Sequence, residues 1–503
     1  MGLGKTLQTI ALIVADVATE KKLVPVPKVD GLTCTGGTLI IAPVSVMSNW
    51  SGQIEQHVSL DHPLKVLRYH GSGKQAKLAD YDVVVTSYGT LSSDYGARRK
   101  GLFGLKWRRV VLDEAHLIRN PKSKASLAAN NLDAASRWAL SGTPIVNNLK
   151  DLYSLIRFLR YSGGLAEFDI FNRTLIRPLN RGEPGASQLL QILMATVCLR
   201  RVKDMKFVDL RLPEMTEFLH KVEFWKEEKE KYDILEMEAK GLLAKYQKGK
   251  NTNGADEYRF LLEILLRMRQ MCNHQSLCGD RIESLMKLAH TDKVDLTDEN
   301  THALQDLLQL AIDAQEECSI CLDSLHNPRI TICKHVFDHA CIEKAIELQH
   351  KCPMCRCPLP ELTTSTVSPP LPTLQPSETP AGSSSKVEAI TTILLATRQK
   401  SPGTKTVVFS QWTSFLTLLE PFLAEKEIAF ARIDGTMKPP KRDENILRFS
   451  TDDTCEVLLA SLAVANVGLN LVMANQVVLA DSWWAPAVED QAVPSPSPNS
   501  GKH

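Results

Sequence analysis

The sequence predicts an α/β protein in which two doubly wound parallel-sheet lobes flank a helical insertion and a small cysteine-rich domain. Three observations lead to this prediction. Short apolar runs begin at residues 38, 82 and 109, and each ends in polar residues. The same alternation returns beyond residue 404, and seven of the twelve cysteines lie between Cys318 and Cys357. Apolar runs that alternate with helical segments are typical of parallel sheets.

Length and composition limit the possible classes of protein. With 503 residues, the chain can form two or three domain cores. The 59 basic residues nearly balance the 58 acidic ones, so any contact with nucleic acid must be local. No apolar run is long enough to cross a bilayer, so no membrane partner is expected. The cysteines are grouped at metal-ligand spacing, which indicates a reducing compartment rather than a disulfide framework.

The chain begins with a glycine-rich segment that runs into a predicted helix. Gly2, Gly4, Lys5 and Thr6 match the second half of a phosphate-binding loop, whose backbone N–H groups hold phosphates at a helix N-terminus. Lys5 would reach the β and γ oxygens of ATP, and Thr6 would offer its hydroxyl to Mg²⁺. Residues 1–6 also fit the pattern of N-myristoylation, and residues 10–15 resemble a short signal-peptide core. The strands further along the chain favour the nucleotide interpretation.

A carboxylate pair, Asp113 and Glu114, follows the apolar run 109–112. In a doubly wound sheet, ligands bind beyond the carboxyl ends of the strands. Asp113 would hold Mg²⁺ through water, and Glu114 would orient and deprotonate the attacking water. Lys5 and Glu114 are therefore the predicted catalytic residues.

The next predicted strand ends in small hydroxyl-bearing residues. Ser141, Gly142 and Thr143 follow it directly and suit a segment that senses the γ-phosphate and relays its loss. Together with the motifs before them, they resemble the first motor lobe of Swi/Snf-type DNA translocases within helicase superfamily two. The resemblance implies two RecA-like lobes, the first over 1–205 and the second over 386–492.

Further segments carry the same resemblance. They are residues 198–204, 267–274, 405–412, 433–436, 457–461, 467–471 and 481–486. Cys272 and His274 near Cys278 could also indicate a metal site. The resemblance instead favours a helical packing segment at this place.

Eight positions between Cys318 and Cys355 have the spacing of two zinc sites. Four close pairs of thiolate and imidazole ligands suit two structural, tetrahedral Zn²⁺ ions. The predicted ligands are Cys318, Cys321, Cys333, His335, Asp338, Cys341, Cys352 and Cys355. The spacing resembles a RING finger, in which pairs one and three hold one ion and pairs two and four the other. Asp338 stands where that family has Cys or His, and His339 is the alternative ligand.

A RING finger has no nucleophile of its own. The resemblance therefore implies docking of a ubiquitin-conjugating enzyme and activation of its ubiquitin thioester. Ile320 and Pro353 match the docking surface of the family, and packing around the zinc is the alternative role for both. Arg356 stands where many such ligases keep a cation that contacts ubiquitin and the conjugating enzyme, which suits a forked guanidinium.

Composition divides the remainder of the chain. Residues 206–315 are rich in Leu, Lys, Glu and Met and are predicted to form a helical insertion, followed by the RING finger at 316–358. Residues 359–385 are rich in Pro, Thr and Ser and are predicted to be a disordered linker. Residues 493–503 form an atypical tail.

The final motor motif begins at 488–492 and then departs from the family pattern. In the family it carries arginines that stabilise the transferring phosphoryl group, an effect on the order of a thousandfold in turnover. No arginine follows residue 492. We therefore expect a chain truncated at both ends that hydrolyses little ATP.

The branch of this family with a RING finger between its lobes implies a nuclear protein of post-replication repair. Such a protein tracks along double-stranded DNA through its phosphates and extends ubiquitin chains on a replication clamp. Residues 98–100, Lys438, Lys441 and Arg442 are candidate DNA contacts or merely exposed charges. Two other hypotheses are a chromatin or transcription remodeller whose RING acts on sumoylated or other nuclear partners, and a zinc-binding adaptor without catalysis.

Overall fold

The computed structural model describes two compact units, divided between Thr216 and Glu217. The described residues are 3–20, 32–59, 63–70, 77–96, 101–145, 148–161, 163–201, 205, 215–248, 254–277, 294–313, 316–323, 325, 327–369, 382–435, 437, 439–462, 471 and 473–482. None of the helices within these ranges is both long enough and apolar enough to cross a membrane.

A six-stranded parallel sheet forms the centre of the first unit. Its strands are β1 (Thr33–Cys34), β2 (Thr38–Ala42), β3 (Val66–Tyr69), β4 (Val83–Ser87), β5 (Leu105–Leu112) and β6 (Asp133–Ala139). The order is β3-β4-β2-β5-β6, and β1 pairs with the first residues of β5. Every residue of β2 and β4 is buried, which is typical of strands covered on both faces.

The first unit also contains the following helices. They are α1 (Lys5–Glu20), α2 (Met47–His57), α3 (Tyr88–Asp94), α4 (Lys124–Asn130), α5 (Leu149–Leu159), α6 (Phe168–Phe171), α7 (Arg177–Asn180) and α8 (Pro184–Val197), with a π-helical turn at Asn172–Ile176. Ile40 and Val111 pack with side chains of α1 and α2, whereas Leu39 and Val110 pack with those of α3, α4 and α5. Because successive residues of a strand face opposite sides, this division confirms the predicted doubly wound fold.

The second unit begins with a helical insertion and the zinc-finger segment. The insertion contains α9 (Lys226–Lys248), α10 (Gly254–Met271) and α11 (Asp298–Asp313). The finger segment contains an antiparallel sheet in the order β8-β7-β9 and two helices. These elements are β7 (Pro328–Thr331), β8 (Val336–Asp338), α12 (His339–Gln349), α13 (Leu362–Ser365) and β9 (Thr366–Val367).

The linker prediction is wrong for residues 359–369. Leu359 and Val367 are buried, and β9 pairs with β7 through Ile330 and Val367. Composition alone suggested disorder, but pairing with a distant strand orders this segment. Residues 370–381, the Pro-rich centre of the predicted linker, lie outside the described residues.

A second parallel sheet completes this unit. Its strands are β10 (Thr406–Ser410), β11 (Phe430–Ile433), β12 (Val457–Ser461) and β13 (Gln476–Leu479), in the order β11-β12-β10-β13. The accompanying helices are α14 (Ser385–Lys400), α15 (Thr413–Glu425) and α16 (Pro439–Thr451). Leu307 of α11 packs against the core of this lobe and also against the cluster of Leu304, Leu308, Ile330 and Val367 beside the finger sheet.

Candidate functional sites

The glycine turn before α1 has the geometry of a phosphate-binding segment. Gly4 adopts a φ of +73°, a left-handed conformation that favours glycine, and its carbonyl accepts the N–H of Gln8 at 3.0 Å. The helix then begins at Lys5, so the N–H groups of its first turn are available to an anion. Thr6 is half-buried in this turn. Gly2 lies outside the described residues.

The acidic pair lies at the carboxyl end of β5, close to this turn. Asp113 N–H continues the sheet pairing by donating to Ile41 O at 2.8 Å. Lys5 Nζ is 4.0 Å from Glu114 Oε1, so the structure brings the predicted lysine and carboxylate together. A half-buried lysine beside a buried carboxylate suits a site where phosphate and water meet.

Asp113 has both carboxylate oxygens in hydrogen bonds. Trp50 Nε1 donates to Oδ2 at 2.7 Å, and Glu114 N–H donates to Oδ1 at 3.0 Å. Burial, followed by the charge of Glu114, raises the pKa of Asp113, whereas the Trp50 hydrogen bond and the charge of Lys5 lower it. The net direction is upward, and a divalent cation would favour the ionised form again.

Glu114 combines burial, backbone strain and an unsatisfied oxygen. Its φ of 47° is left-handed, which is uncommon outside glycine and recurs at functional sites. The residue is 4% exposed, and Oε2 has no hydrogen-bond partner among the described residues. His116 Nδ1 is 3.3 Å from Oε2, but the two atoms are not aligned for a hydrogen bond. A buried carboxylate oxygen without a hydrogen-bond partner can accept a proton from a water molecule.

The segment after β6 reaches the same edge of the sheet. Leu140 N–H donates to Leu112 O at 2.8 Å, and Ala115 N–H donates to Leu140 O at 2.8 Å. Ser141, Gly142 and Thr143 follow immediately, and Thr143 N–H donates to Ser141 Oγ at 3.1 Å. The predicted coupling residues therefore begin beside the acidic pair.

Sequence reasoning did not identify several residues that surround this site. Trp50 holds the Asp113 carboxylate, and Tyr88 Oη donates to Asp113 O at 2.8 Å. Away from the acidic pair, the buried Arg109 of β5 forms an ion pair with the partly exposed Asp16 of α1. These partners are separated by 25 or more residues in sequence, so no local pattern could have revealed them.

The predicted zinc ligands form two groups within the second unit. Every member of a group has its ligand atom within 4.8 Å of the others. One group is Cys333, His335, Cys352 and Cys355, and the other is Cys318, Cys321 and Cys341. Thiolate and imidazole donors at this spacing fit zinc. The division follows the interleaved pattern, with pairs two and four in one group.

Asp338 lies outside the group of three cysteines. Its Oδ1 accepts the N–H of Asn327 at 2.6 Å, while its backbone N–H donates to Cys318 Sγ at 3.3 Å. The alternative ligand, His339, has its Nδ1 at 3.7 Å from Glu343 Oε2 and is also outside the group. Within the described residues, a fourth ligand for this group is therefore not assembled.

Each group contains one thiol whose pKa is lowered by its neighbours. Hydrogen bonds from Cys321 and Cys341 hold the pKa of Cys318 well below that of a free thiol. A hydrogen bond from Cys333 acts in the same way on the pKa of Cys352. The same hydrogen bonds, together with burial, raise the pKa of Cys321, Cys333 and Cys341. Each group therefore favours one thiolate, which is the form of cysteine that ligates metal.

The predicted docking residues are on the surface of the finger. Ile320 is 40% exposed, and Pro353 and Arg356 are exposed. The apolar core around the ligands is instead formed by Ile332, Phe337, Ile342, Ile346 and Leu359. Neither Ile320 nor Pro353 belongs to this core.

A doubly wound sheet with a glycine turn, a lysine and an acidic pair at its carboxyl edge defines a phosphate-loop nucleotide-binding lobe. Three family models match along the chain. They are the SNF2-related domain over residues 1–277, the zinc finger, C3HC4 type (RING finger) over 317–355, and the helicase conserved C-terminal domain over 385–493. Since the first match covers more than half of the chain, this protein belongs to the SNF2-related family. The family resemblance of the motifs is thereby confirmed.

Curated relatives are similar in sequence over most of the chain. The helicase-like transcription factor of Oryctolagus cuniculus is 37% identical and matches 90% of this chain and 46% of that protein. DNA repair protein RAD5A of Arabidopsis thaliana is 33% identical and matches 98% of this chain and 53% of that protein. DNA repair protein RAD5 of Gibberella zeae is 32% identical and matches 98% of this chain and 50% of that protein. The chain thus spans about half the length of the curated relatives it matches.

Proposed function

We propose that this protein is an ATP-dependent double-stranded-DNA translocase that also acts as a RING-type ubiquitin ligase in DNA repair. The observation that carries the motor part is the buried Glu114, with Lys5 Nζ at 4.0 Å from Oε1 and an Oε2 that has no hydrogen-bond partner among the described residues. The two cysteine groups carry the ligase part. Two of the relatives named above are DNA repair proteins, which supports a nuclear role in post-replication damage tolerance.

In the nucleotide site, each residue has a separate task. Gly4 and the N-terminus of α1 receive the phosphates, and Lys5 neutralises their charge. Asp113 and Thr6 are the residues that would hold Mg²⁺, which supplies charge neutralisation to the transferring phosphoryl group. Glu114 orients a water molecule at Oε2 and accepts its proton. Ser141, Gly142 and Thr143, at the adjoining strand end, respond to the departure of the γ-phosphate.

In the RING finger, the chain itself performs no covalent step. The cysteines with His335, and Asp338 as the proposed fourth ligand of the Cys318 group, hold two zinc ions that fix the fold. Ile320 and Pro353 form an exposed apolar surface for a ubiquitin-conjugating enzyme. Arg356 bridges that enzyme and ubiquitin. A replication clamp is the proposed ubiquitination substrate.

The candidate DNA contacts of the second lobe are basic side chains. Lys441 is exposed and pairs with Glu444 at 3.0 Å, which is a weak surface interaction that phosphate can replace. Arg442 is less available to DNA than Lys441, because its guanidinium donates a hydrogen bond to Gly435 O at 2.8 Å. Residues 98–100 and Lys438 lie outside the described residues.

The motor part is tested by ATP hydrolysis with and without duplex DNA. The Glu114→Gln variant is the matched control, because it keeps the shape of the side chain and removes the base. The assay uses the sequence as given and a version that carries the final motif of a relative, because an arginine of that motif contributes on the order of a thousandfold to turnover in comparable hydrolases. In the version with that motif, we expect DNA to stimulate turnover and Glu114→Gln to lose about 100-fold or more of it. Equal turnover of that version with and without Glu114→Gln would contradict the motor assignment.

The ligase part is tested by ubiquitin-chain formation with a panel of conjugating enzymes. Ile320→Ala should reduce chain formation without loss of zinc, since the side chain is on the surface. Chain formation that is unaffected by Ile320→Ala and Pro353→Ala together would argue against this docking surface.

A further inference from the structure

Trp50 connects the acidic pair to a distant helix. The residue lies in α2 and is 1% exposed, and its indole Nε1 is 2.7 Å from Oδ2 of Asp113, 63 residues further along the chain. An indole N–H can only donate, so the direction of this hydrogen bond is fixed. The acceptor of this buried indole, Asp113, is one of the residues proposed to hold Mg²⁺.

The carboxylate of Asp113 is thereby held at both ends. Oδ2 accepts from Trp50, and Oδ1 accepts from the N–H of Glu114 at 3.0 Å. Rotation of the carboxylate about its bond to Cβ would break both hydrogen bonds. Each oxygen still has a second lone pair, which remains for a water molecule or a cation.

The backbone of Asp113 has a separate anchor. Tyr88 Oη donates to Asp113 O at 2.8 Å and does not contact the carboxylate oxygens through a hydrogen bond. The two aromatic residues therefore hold different parts of Asp113. Trp50 sets the orientation of the side chain, and Tyr88 sets the position of the main chain.

Trp50 also lies against the helix that begins at the phosphate-binding turn. It belongs to one buried cluster with Ile10 and Ile13 of α1 and with Val111 of β5. Packing at interior density fixes the indole relative to both elements. The orientation of the Asp113 carboxylate is consequently tied to α1, which begins at Lys5.

We propose that Trp50 is a positioning residue for Mg²⁺, holding the Asp113 carboxylate in the orientation that receives the water shell of the ion at the nucleotide phosphates. This inference rests on the proposed nucleotide site. Groups that orient a metal-binding carboxylate typically change metal affinity about 10- to 100-fold when removed. Trp50 should therefore govern the Mg²⁺ dependence of nucleotide binding and leave the metal-free contacts of the phosphates unchanged.

The test measures binding of a fluorescent ATP analogue by the full chain, first in EDTA and then across a Mg²⁺ titration. Trp50→Phe keeps an aromatic ring and removes the donor. We expect its binding in EDTA to equal that of the unchanged chain and its half-saturating Mg²⁺ concentration to rise about tenfold or more. Trp107→Phe is the matched control, because it removes the indole donor of another fully buried tryptophan, whose Nε1 donates to Leu102 O at 3.0 Å and not to Asp113. Its Mg²⁺ dependence should stay within about twofold, a limit set by the carboxylate retaining both of its donors.

A second variant separates positioning from packing. Site-specific replacement of Trp50 by 3-benzothienylalanine preserves the shape of the indole and substitutes sulfur for the N–H. The same rise in half-saturating Mg²⁺ is expected, and circular dichroism should show an unchanged fold. An unchanged Mg²⁺ titration in this variant would overturn the positioning role while leaving the nucleotide site in place. Failure of the unchanged chain to bind the analogue at any Mg²⁺ concentration would overturn the nucleotide site itself.

Discussion

Arg269, near the end of α10, donates a hydrogen bond to Gln411 Oε1 at 2.7 Å, and the same guanidinium also donates to Ser482 O. These contacts join the helical insertion to the carboxyl edge of the second-lobe sheet, where β10 ends at Ser410. Lys386, in α14, adds a hydrogen bond to Asn273 Oδ1 at 2.8 Å. The insertion and the second lobe are thus held together by directional polar contacts within one compact unit.

Arg269→Met should lower the free energy of unfolding of the second unit. The substitution keeps the length of the side chain but leaves Gln411 Oε1 and Ser482 O without this donor. Hydrogen bonds to charged groups contribute about 1.5–3 kcal/mol, so we expect a loss in that range by chemical denaturation. Lys240→Met removes an exposed pair with Glu236 and serves as the control, with a change within about 0.5 kcal/mol. Equal effects of the two substitutions would contradict the proposed importance of the Arg269 contacts.

Leu308→Ala should loosen the attachment of the finger sheet to α11. Leu308 is fully buried and packs with Leu304, Ile330 and Val367. Truncating a buried leucine costs about 2–5 kcal/mol, according to how far the cavity collapses. Leu348→Ala is the matched control because this residue is 81% exposed. Thermal unfolding of both variants in excess zinc should show a clear loss for the first and almost none for the second.

His274 makes the stability of the second unit dependent on pH. Its Nε2 lies 2.7 Å from Gly382 O, and its Nδ1 accepts the N–H of Ser276 at 3.1 Å. Burial lowers the pKa of His274 below its ordinary value of 6.5. Because the unfolded chain binds the proton more readily, the contribution is present above about pH 6.5 and is lost as pH falls through the lower folded-state pKa.

Denaturation at pH 7.5 and 5.5 measures this contribution, where the pH values are about one unit either side of an ordinary histidine pKa. His274→Gln should show a shallower loss of stability on acidification than the unchanged chain. His220→Asn changes an exposed histidine and should leave the slope unaltered. A His274→Gln variant with the original slope would show that another group is responsible.

The two cysteine groups should bind zinc independently. Cys341→Ser removes one ligand from the Cys318 group, and Cys355→Ser removes one from the Cys333 group. We expect each substitution to reduce bound zinc from two equivalents to one in a metal assay of the purified protein. Serine is a poor zinc ligand compared with a thiolate.

The fourth ligand of the Cys318 group is tested in the same assay. Asp338→Ala should weaken the zinc affinity of this group, since the sequence spacing assigns Asp338 to it. His339→Ala is the comparison and should retain two equivalents. If His339→Ala weakened zinc binding and Asp338→Ala did not, His339 would be the fourth ligand and the assignment of Asp338 would be wrong.

Several features of the molecule were predictable because they depend on neighbours in sequence. The apolar runs at 38–42, 83–87 and 109–112 became buried parallel strands, and the polar residues after them reached one sheet edge. Ligand spacing anticipated the two metal groups apart from Asp338. The linker was misjudged at Val367, because composition does not reveal pairing with Ile330.

The sequence by itself determined the doubly wound fold and the spacing of the candidate nucleotide- and zinc-binding residues, because both depend on short-range periodicity and on neighbours in the chain. The family was indicated by the resemblance of the motifs and is shown by the match of the SNF2-related domain over residues 1–277. Tertiary structure alone decided three contacts. Trp50 donates a hydrogen bond to the Asp113 carboxylate, Arg109 forms an ion pair with Asp16, and the N–H of Asn327 donates to the Asp338 carboxylate. Each of these contacts joins residues that are far apart in the chain or on different elements, and only folding brings their hydrogen-bonding atoms within reach.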